Sequence, residues 1–166
     1  MRRLWISLGF ALSLIATHVR AELPAPQGTV LLTISGHIGE TNVDDRAEFD
    51  RDMLQSIGVV EFETRTPWTE GDVRFTGISV AALLERVSPS GASVRAVAAN
   101  DYVANIPIAI LRDGGAILAM QMDGEPLTLR NKGPLWIIFP WSDKPELDRI
   151  EIHNYAVWQL LSMQIQ

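Results

Sequence analysis

Residues 75–84 read F-T-G-I-S-V-A-A-L-L. Phe75-Thr76-Gly77 leads into Ser79, whose hydroxyl suits a helix N-cap because it can accept an orphan backbone N–H of the first turn. From Val80 to Val87 the apolar residues Ala81, Leu84 and Val87 fall on one face at helical spacing. Ser88-Pro89-Ser90-Gly91 then stops the helix. This short helix behind a capped turn is the firmest local reading in the chain.

Upstream, Val59-Val60-Glu61-Phe62-Glu63-Thr64 alternates as a strand and runs into a polar turn holding Arg65, Thr66, Pro67 and Trp68. Gly58 is a helix stop. Before it, Phe49, Met53, Leu54 and Ile57 predict a helix over residues 46–57, with Asp44 and Asp45 at its dipole-favoured end. Residues 28–38 form a β-rich run closed by glycine, and residues 22–27 hold two prolines and read as a leader. Downstream, strands are expected at 93–98, 102–106, 116–122, 127–129, 135–139 and 160–165. Helical turns are expected at 107–111 and 145–149, and Asp123-Gly124-Glu125-Pro126 reads as a hairpin-type turn. Many short strands, two modest helices and no βαβ alternation predict an α+β domain with a mixed or antiparallel sheet.

The N-terminus carries a different message. Arg2 and Arg3 precede an apolar run over residues 4–16, and Val19-Arg20-Ala21 fits a cleavage site. Residues 1–21 are expected to be a cleaved signal peptide, leaving a single domain over residues 22–166 and a periplasmic protein that is not membrane-inserted. The chain has 166 residues and a formal charge of −6, and loss of Arg2, Arg3 and Arg20 makes it more acidic still. Such a balance, without a basic run, excludes nucleic acid as a partner. There is no cysteine, which rules out disulfides, thiolate nucleophiles and thiolate metal ligands.

Motifs with chemistry are sparse. His37 and His153 show no metal-ligand spacing, and the acidic group Asp44, Asp45, Glu48, Asp50 and Asp52 lacks a calcium-loop pattern, so it reads as a solvated helix start. No nucleophile elbow, phosphate loop or dinucleotide fingerprint is present. Polar residues at strand ends remain: Thr64, Arg65, Thr66 and Trp68; Asn100, Asp101 and Tyr102; Arg130, Asn131 and Lys132. Arg and Lys in glycine-bounded loops suit an anionic ligand, and Trp and Tyr add flat surface for it.

Several segments together resemble one family. Phe75-Thr76-Gly77 followed by Leu83-Leu84, Asn100-Asp101-Tyr102 with Ile106-Pro107, Leu118-Ala119 through Gly124-Glu125-Pro126-Leu127, Gly133-Pro134-Leu135 to Pro140, and the tail from Val157-Trp158 are similar in order and spacing to the sulfite-oxidase-type molybdopterin-binding domain. The resemblance runs from about Gly28 to the end. It implies an α+β fold with a mixed, β-rich core and a few short helices. In the family's enzymes it also implies a cysteine thiolate on molybdenum, held by a pterin dithiolene, near the position of Thr64 to Thr66. Here that thiolate is missing. The family's arginine after P-L is Trp136, and its lysine before the tail tryptophan is Val157. A hydroxyl is a harder ligand than a thiolate, and loss of two cations weakens the hold on an anionic cofactor. The expectation is therefore a protein most simply without cofactor: a non-catalytic small-anion-binding, sensory or accessory module with a membrane-bound partner. Its site would be Thr64, Arg65, Thr66, Trp68, Asn100, Asp101, Tyr102, Arg130 and Lys132. The alternative is a molybdopterin-dependent oxidoreductase passing electrons to a separate redox partner.

Overall fold

The computed structural model describes residues 23–166, so the signal segment expected at residues 1–21 lies outside the described residues. Strand β1 (Leu32–Gly36) pairs antiparallel with β2 (Ala47–Phe49), setting Leu32 opposite Phe49. The helix expected over residues 46–57 is therefore shortened. Its first four residues alternate inward as a strand, with Ala47 and Phe49 buried, and helix α1 covers only Arg51–Ser56. Backbone pairing to β1 outweighs the helical spacing of Phe49, Met53 and Ile57.

Asp50 is the N-cap of α1, and it is buried rather than part of a solvated acidic face. Its Oδ1 accepts the Met53 N–H at 2.9 Å, and its Oδ2 accepts the N–H groups of Gly28 at 2.8 Å and Gln27 at 2.7 Å. One carboxylate thus starts the helix and ties down the segment before β1. These bonds, that from Met53 foremost, hold its pKa below the ordinary aspartate value. A depressed carboxylate contributes stability above its unfolded pKa, near 3.9, and loses it as pH falls through the folded value. Asp50→Asn keeps an oxygen for Met53 but sets an amide NH2 against two N–H donors. We expect a lower melting temperature at neutral pH and a flatter decline below about pH 4. Thermal unfolding of both proteins from neutral to acid pH checks this, and parallel pH curves would contradict it.

Beyond α1, β3 (Val59–Thr64) and β4 (Val73–Ser79) form a hairpin, and Ser79 caps α2 (Val80–Val87) by accepting the Ala82 N–H at 3.3 Å. Helix α2 buries Val80, Leu83, Leu84 and Val87, so Leu84 and Val87 of the expected stripe face the core while Ala81 sits at its margin. Next come β5 (Ser93–Ala98), β6 (Val103–Pro107), α3 (Ile108–Asp113) and β7 (Ile117–Met122). Asp123 and Gly124, both at positive φ, turn β7 into β8 (Glu125–Pro126), as a two-residue hairpin requires. The strand expected at 127–129 is absent. Leu129–Asn131 forms a 3-10 turn instead, with Thr128 as its cap. Strand β9 (Trp136–Ile138), a 3-10 turn at Pro145–Leu147, helix α4 (Ile150–His153) and β10 (Leu160–Ile165) complete the described residues. Helix α4 carries no sequence signal because one turn with a single buried residue, Ile152, leaves no periodicity to read.

The strands make two five-stranded sheets. One has the order β2-β1-β10-β5-β6, and the other runs β3-β4-β7-β8 with β9 also on β7. All pairs are antiparallel except β1 with β10. This is the mixed, β-rich α+β architecture expected. A single buried apolar cluster runs through both sheets, and its largest side chains are Trp136, Phe49, Phe75 and Phe139.

Candidate functional site

Strand β3 delivers Thr64 into the interior, where it is fully buried. Its Oγ1 accepts the Ser142 N–H at 3.0 Å and donates toward the Arg65 carbonyl at 3.3 Å or the Ser142 Oγ at 3.4 Å. Ser142 Oγ in turn accepts the Arg65 N–H at 3.0 Å. Two loops 78 residues apart are thereby clasped. Thr66, also buried, bonds Thr69 Oγ1 at 2.9 Å and accepts the Trp68 N–H at 3.1 Å. Its hydroxyl shapes the turn that presents Trp68.

Trp68 is the hub of an aromatic group. Its ring lies 5.4 Å from Trp158, 5.9 Å from Trp136, 6.1 Å from His153 and 6.2 Å from Trp141, all steeply inclined. Edge-to-face contacts of this kind add about 0.5–1.5 kcal/mol each beyond burial. Trp136 and Trp141 bury their indole nitrogens without penalty, because each N–H meets a carbonyl, of Ala156 at 3.2 Å and Leu147 at 3.1 Å.

Two cavities flank this group. The larger, about 390 Å³, is lined by Arg65, Asp72, Trp141, Ser142 and Asp148. Arg65 gives its Nε to Asp72 at 3.2 Å, and both side chains are at least half exposed, so the pair itself adds little stability. The smaller cavity, about 210 Å³, is bounded by the rings of Trp68, Tyr102, His153 and Trp158 and by Asn100 and Asn154. Asp148 and His153 face different cavities and bond each other at 2.8 Å, so this pair belongs to the partition between them.

The residues expected from sequence divide accordingly. Trp68, Asn100 and Tyr102 come together in the smaller cavity, while Arg65 lines the larger one. Thr64 and Thr66 sit beneath as buried structural hydroxyls. Asn100 accepts the Tyr102 N–H at 3.2 Å, and Asp101 between them takes a left-handed turn conformation with φ of 63°. Arg130 and Lys132 line neither cavity. Arg130 belongs to the exposed 3-10 turn, and Lys132 Nζ lies 5.5 Å over the Trp136 ring. Asp72, Ser142 and Asp148 carry no sequence signal, His153 is weighed there only as a metal ligand, and Trp158 enters only through the tail motif. Only the fold brings them to the site, although the tail motif around Trp158 was a usable signal. Among the described residues no group of three or more His, Asp or Glu side chains could hold a metal ion.

Residues 44–142 match the family model for the oxidoreductase molybdopterin binding domain. The chain belongs to that family. No curated protein matches it. Among solved structures it is similar to the sulfane dehydrogenase SoxCD from Paracoccus pantotrophus, with a TM-score of 0.59 and 18% identity over 81% of this chain. The likeness spans 37% of that chain and speaks for a shared fold. His153 and Trp158 lie beyond the segment that the family model matches, so the smaller cavity is built partly by the tail.

A thiolate-ligated molybdenum cofactor can be tested against these side chains. The chain offers no thiol. The hydroxyl at the corresponding strand end is buried and committed to Ser142. The adjacent cavity supplies a single guanidinium, shared with Asp72 through Nε, which is one cation for a cofactor that carries several negative charges. Trp136, which the sequence resemblance sets at the place of the family's arginine, is wholly inside the core. These residues do not fit a multiply anionic cofactor held by sulfur.

Proposed function

We propose that this chain is a non-catalytic, ligand-binding member of the molybdopterin-binding-domain family, exported to the periplasm behind a cleaved signal at residues 1–21. It takes a small anion at Arg65 and Ser142 and passes that occupancy to a membrane-bound sensor or redox partner. The observation that carries this reading is Thr64: at the family's metal-ligating strand end stands a buried hydroxyl whose bonds knit two loops together. Arg65 supports the ligand assignment. Its described hydrogen bond uses Nε alone, and a guanidinium has four further N–H donors for a carboxylate, sulfate or phosphate.

The test has two arms. Protein purified from a molybdenum-replete native periplasm is expected to contain no stoichiometric molybdenum by elemental analysis and no pterin after oxidation. Near-stoichiometric molybdenum would replace this reading with the second one, a molybdopterin-dependent oxidoreductase, which family membership favours. In the other arm, inorganic phosphate or sulfate at a hundredfold excess over its dissociation constant adds about 2.7 kcal/mol of stability. That gain should vanish in Arg65→Ala and persist in Arg130→Ala, whose side chain lines neither cavity. Equal gains in both variants would remove Arg65 from the site.

A further inference from the structure

We infer that the smaller cavity is an aromatic cage for a quaternary ammonium group. Four rings bound it, those of Trp68, Tyr102, His153 and Trp158. Trp68 is inclined at 71° to Trp158 and at 74° to His153. A flat ligand is best held between parallel faces, whereas mutually inclined rings suit a compact, roughly spherical group. Electron-rich ring faces attract cations, most strongly those of tryptophan. No lysine or arginine lines the cavity, and Asn100, Asn154 and Ala156 complete its lining. Behind the His153 ring the Asp148 carboxylate bonds Nε2 at 2.8 Å. Anionic ligands are therefore disfavoured here, in contrast to the neighbouring cavity with Arg65.

Size points the same way. At about 210 Å³ the cavity falls below the range of roughly 300–1,000 Å³ typical of drug-sized ligands, which leaves space for a head group rather than a large cofactor. The Tyr102 hydroxyl donates to the Asn154 carbonyl at 2.9 Å, which ties the turn after β5 to the end of α4 and fixes one wall in place. Choline, glycine betaine and the head group of phosphatidylcholine share the required chemistry.

The experiment titrates the purified protein with tetramethylammonium and choline, following tryptophan emission and heat of binding. Both cations should bind saturably. Dimethylbutanol, the uncharged carbon isostere of choline, should bind about tenfold more weakly or worse, the loss expected when a desolvated cation–π attraction is removed. Trp158→Ala should weaken choline binding about tenfold, while Trp158→Phe keeps most of it. Tyr102→Ala alters a half-exposed residue and serves if Trp158→Ala does not fold. Co-sedimentation with phosphatidylcholine but not phosphatidylglycerol vesicles, lost in Tyr102→Ala, would assign the group to a lipid. Choline binding without co-sedimentation would assign it to a soluble ligand, and either result supports the cage. Equal affinity for choline and its isostere, absence of saturation, or wild-type choline binding by both the Trp158→Ala and Tyr102→Ala variants would overturn it.

Discussion

Gly77→Ala is expected to lose the native pairing of β4 with β7. A Cβ at Gly77 would stand 2.1 Å from the Leu118 carbonyl oxygen and 2.7 Å from the Ala119 Cα. Both atoms are backbone, so no side chain can swing away. The strands must separate, at the point where their register already shifts between Thr76 and Gly77. Ordinary overpacking costs about 1–3 kcal/mol, and a clash with an immovable ladder should exceed about 3 kcal/mol. Against a total stability of about 5–15 kcal/mol, that threatens folding. Gly71→Ala is the control. Nothing lies within 4 Å of its added Cβ, and only its left-handed backbone, with φ of 67°, opposes the change. That should cost about 1–2 kcal/mol. Urea unfolding followed by tryptophan fluorescence measures both, and a Gly77→Ala variant within about 1 kcal/mol of the parent would show that the ladder yields.

Trp136→Arg should be at least as damaging, although the sequence resemblance sets an arginine at this place. Trp136 is wholly buried, with Phe75 at 5.4 Å, Trp68 at 5.9 Å and Trp158 at 6.3 Å. Removing a buried large aromatic costs about 3–5 kcal/mol. The incoming guanidinium finds one evident acceptor, the Ala156 carbonyl now used by the indole. An uncompensated buried charge adds several kcal/mol more. We expect loss of the near-ultraviolet circular dichroism signal and no cooperative unfolding transition. A folded variant within about 2 kcal/mol of the parent would mean that the aromatic group can open to water.

Much of the fold was legible before the coordinates. Strands 59–64, 93–98 and 160–165 and the helix Val80–Val87 lie where the sequence puts them, and strand 93–98 and the helix do so by burying an alternating and a helical apolar stripe. The misreadings occur where distant pairing decides. Phe49, Met53 and Ile57 have helical spacing, yet Phe49 is held opposite Leu32 in a strand that only β1 can stabilise. The candidate site was half legible. Trp68, Asn100 and Tyr102 line one cavity. Ser142, Asp72 and Asp148 were invisible, because a serine hydroxyl and two surface carboxylates acquire meaning only when the fold places them beside Arg65. Arg130 and Lys132 looked equivalent to Arg65 as loop cations. Their loop carries a 3-10 turn, and Lys132 lies over Trp136 without lining either cavity.

The strand order β2-β1-β10-β5-β6 also governs biogenesis. The last strand in sequence is the middle strand in space, parallel to β1 on one side and antiparallel to β5 on the other. A nascent chain interrupted before Leu160 therefore holds two incomplete half-sheets, each with an unpaired inner edge. Open edges of this kind recruit other strands. Pairing of β10 closes both edges at once, so the two halves of this sheet become one only when that strand is in place.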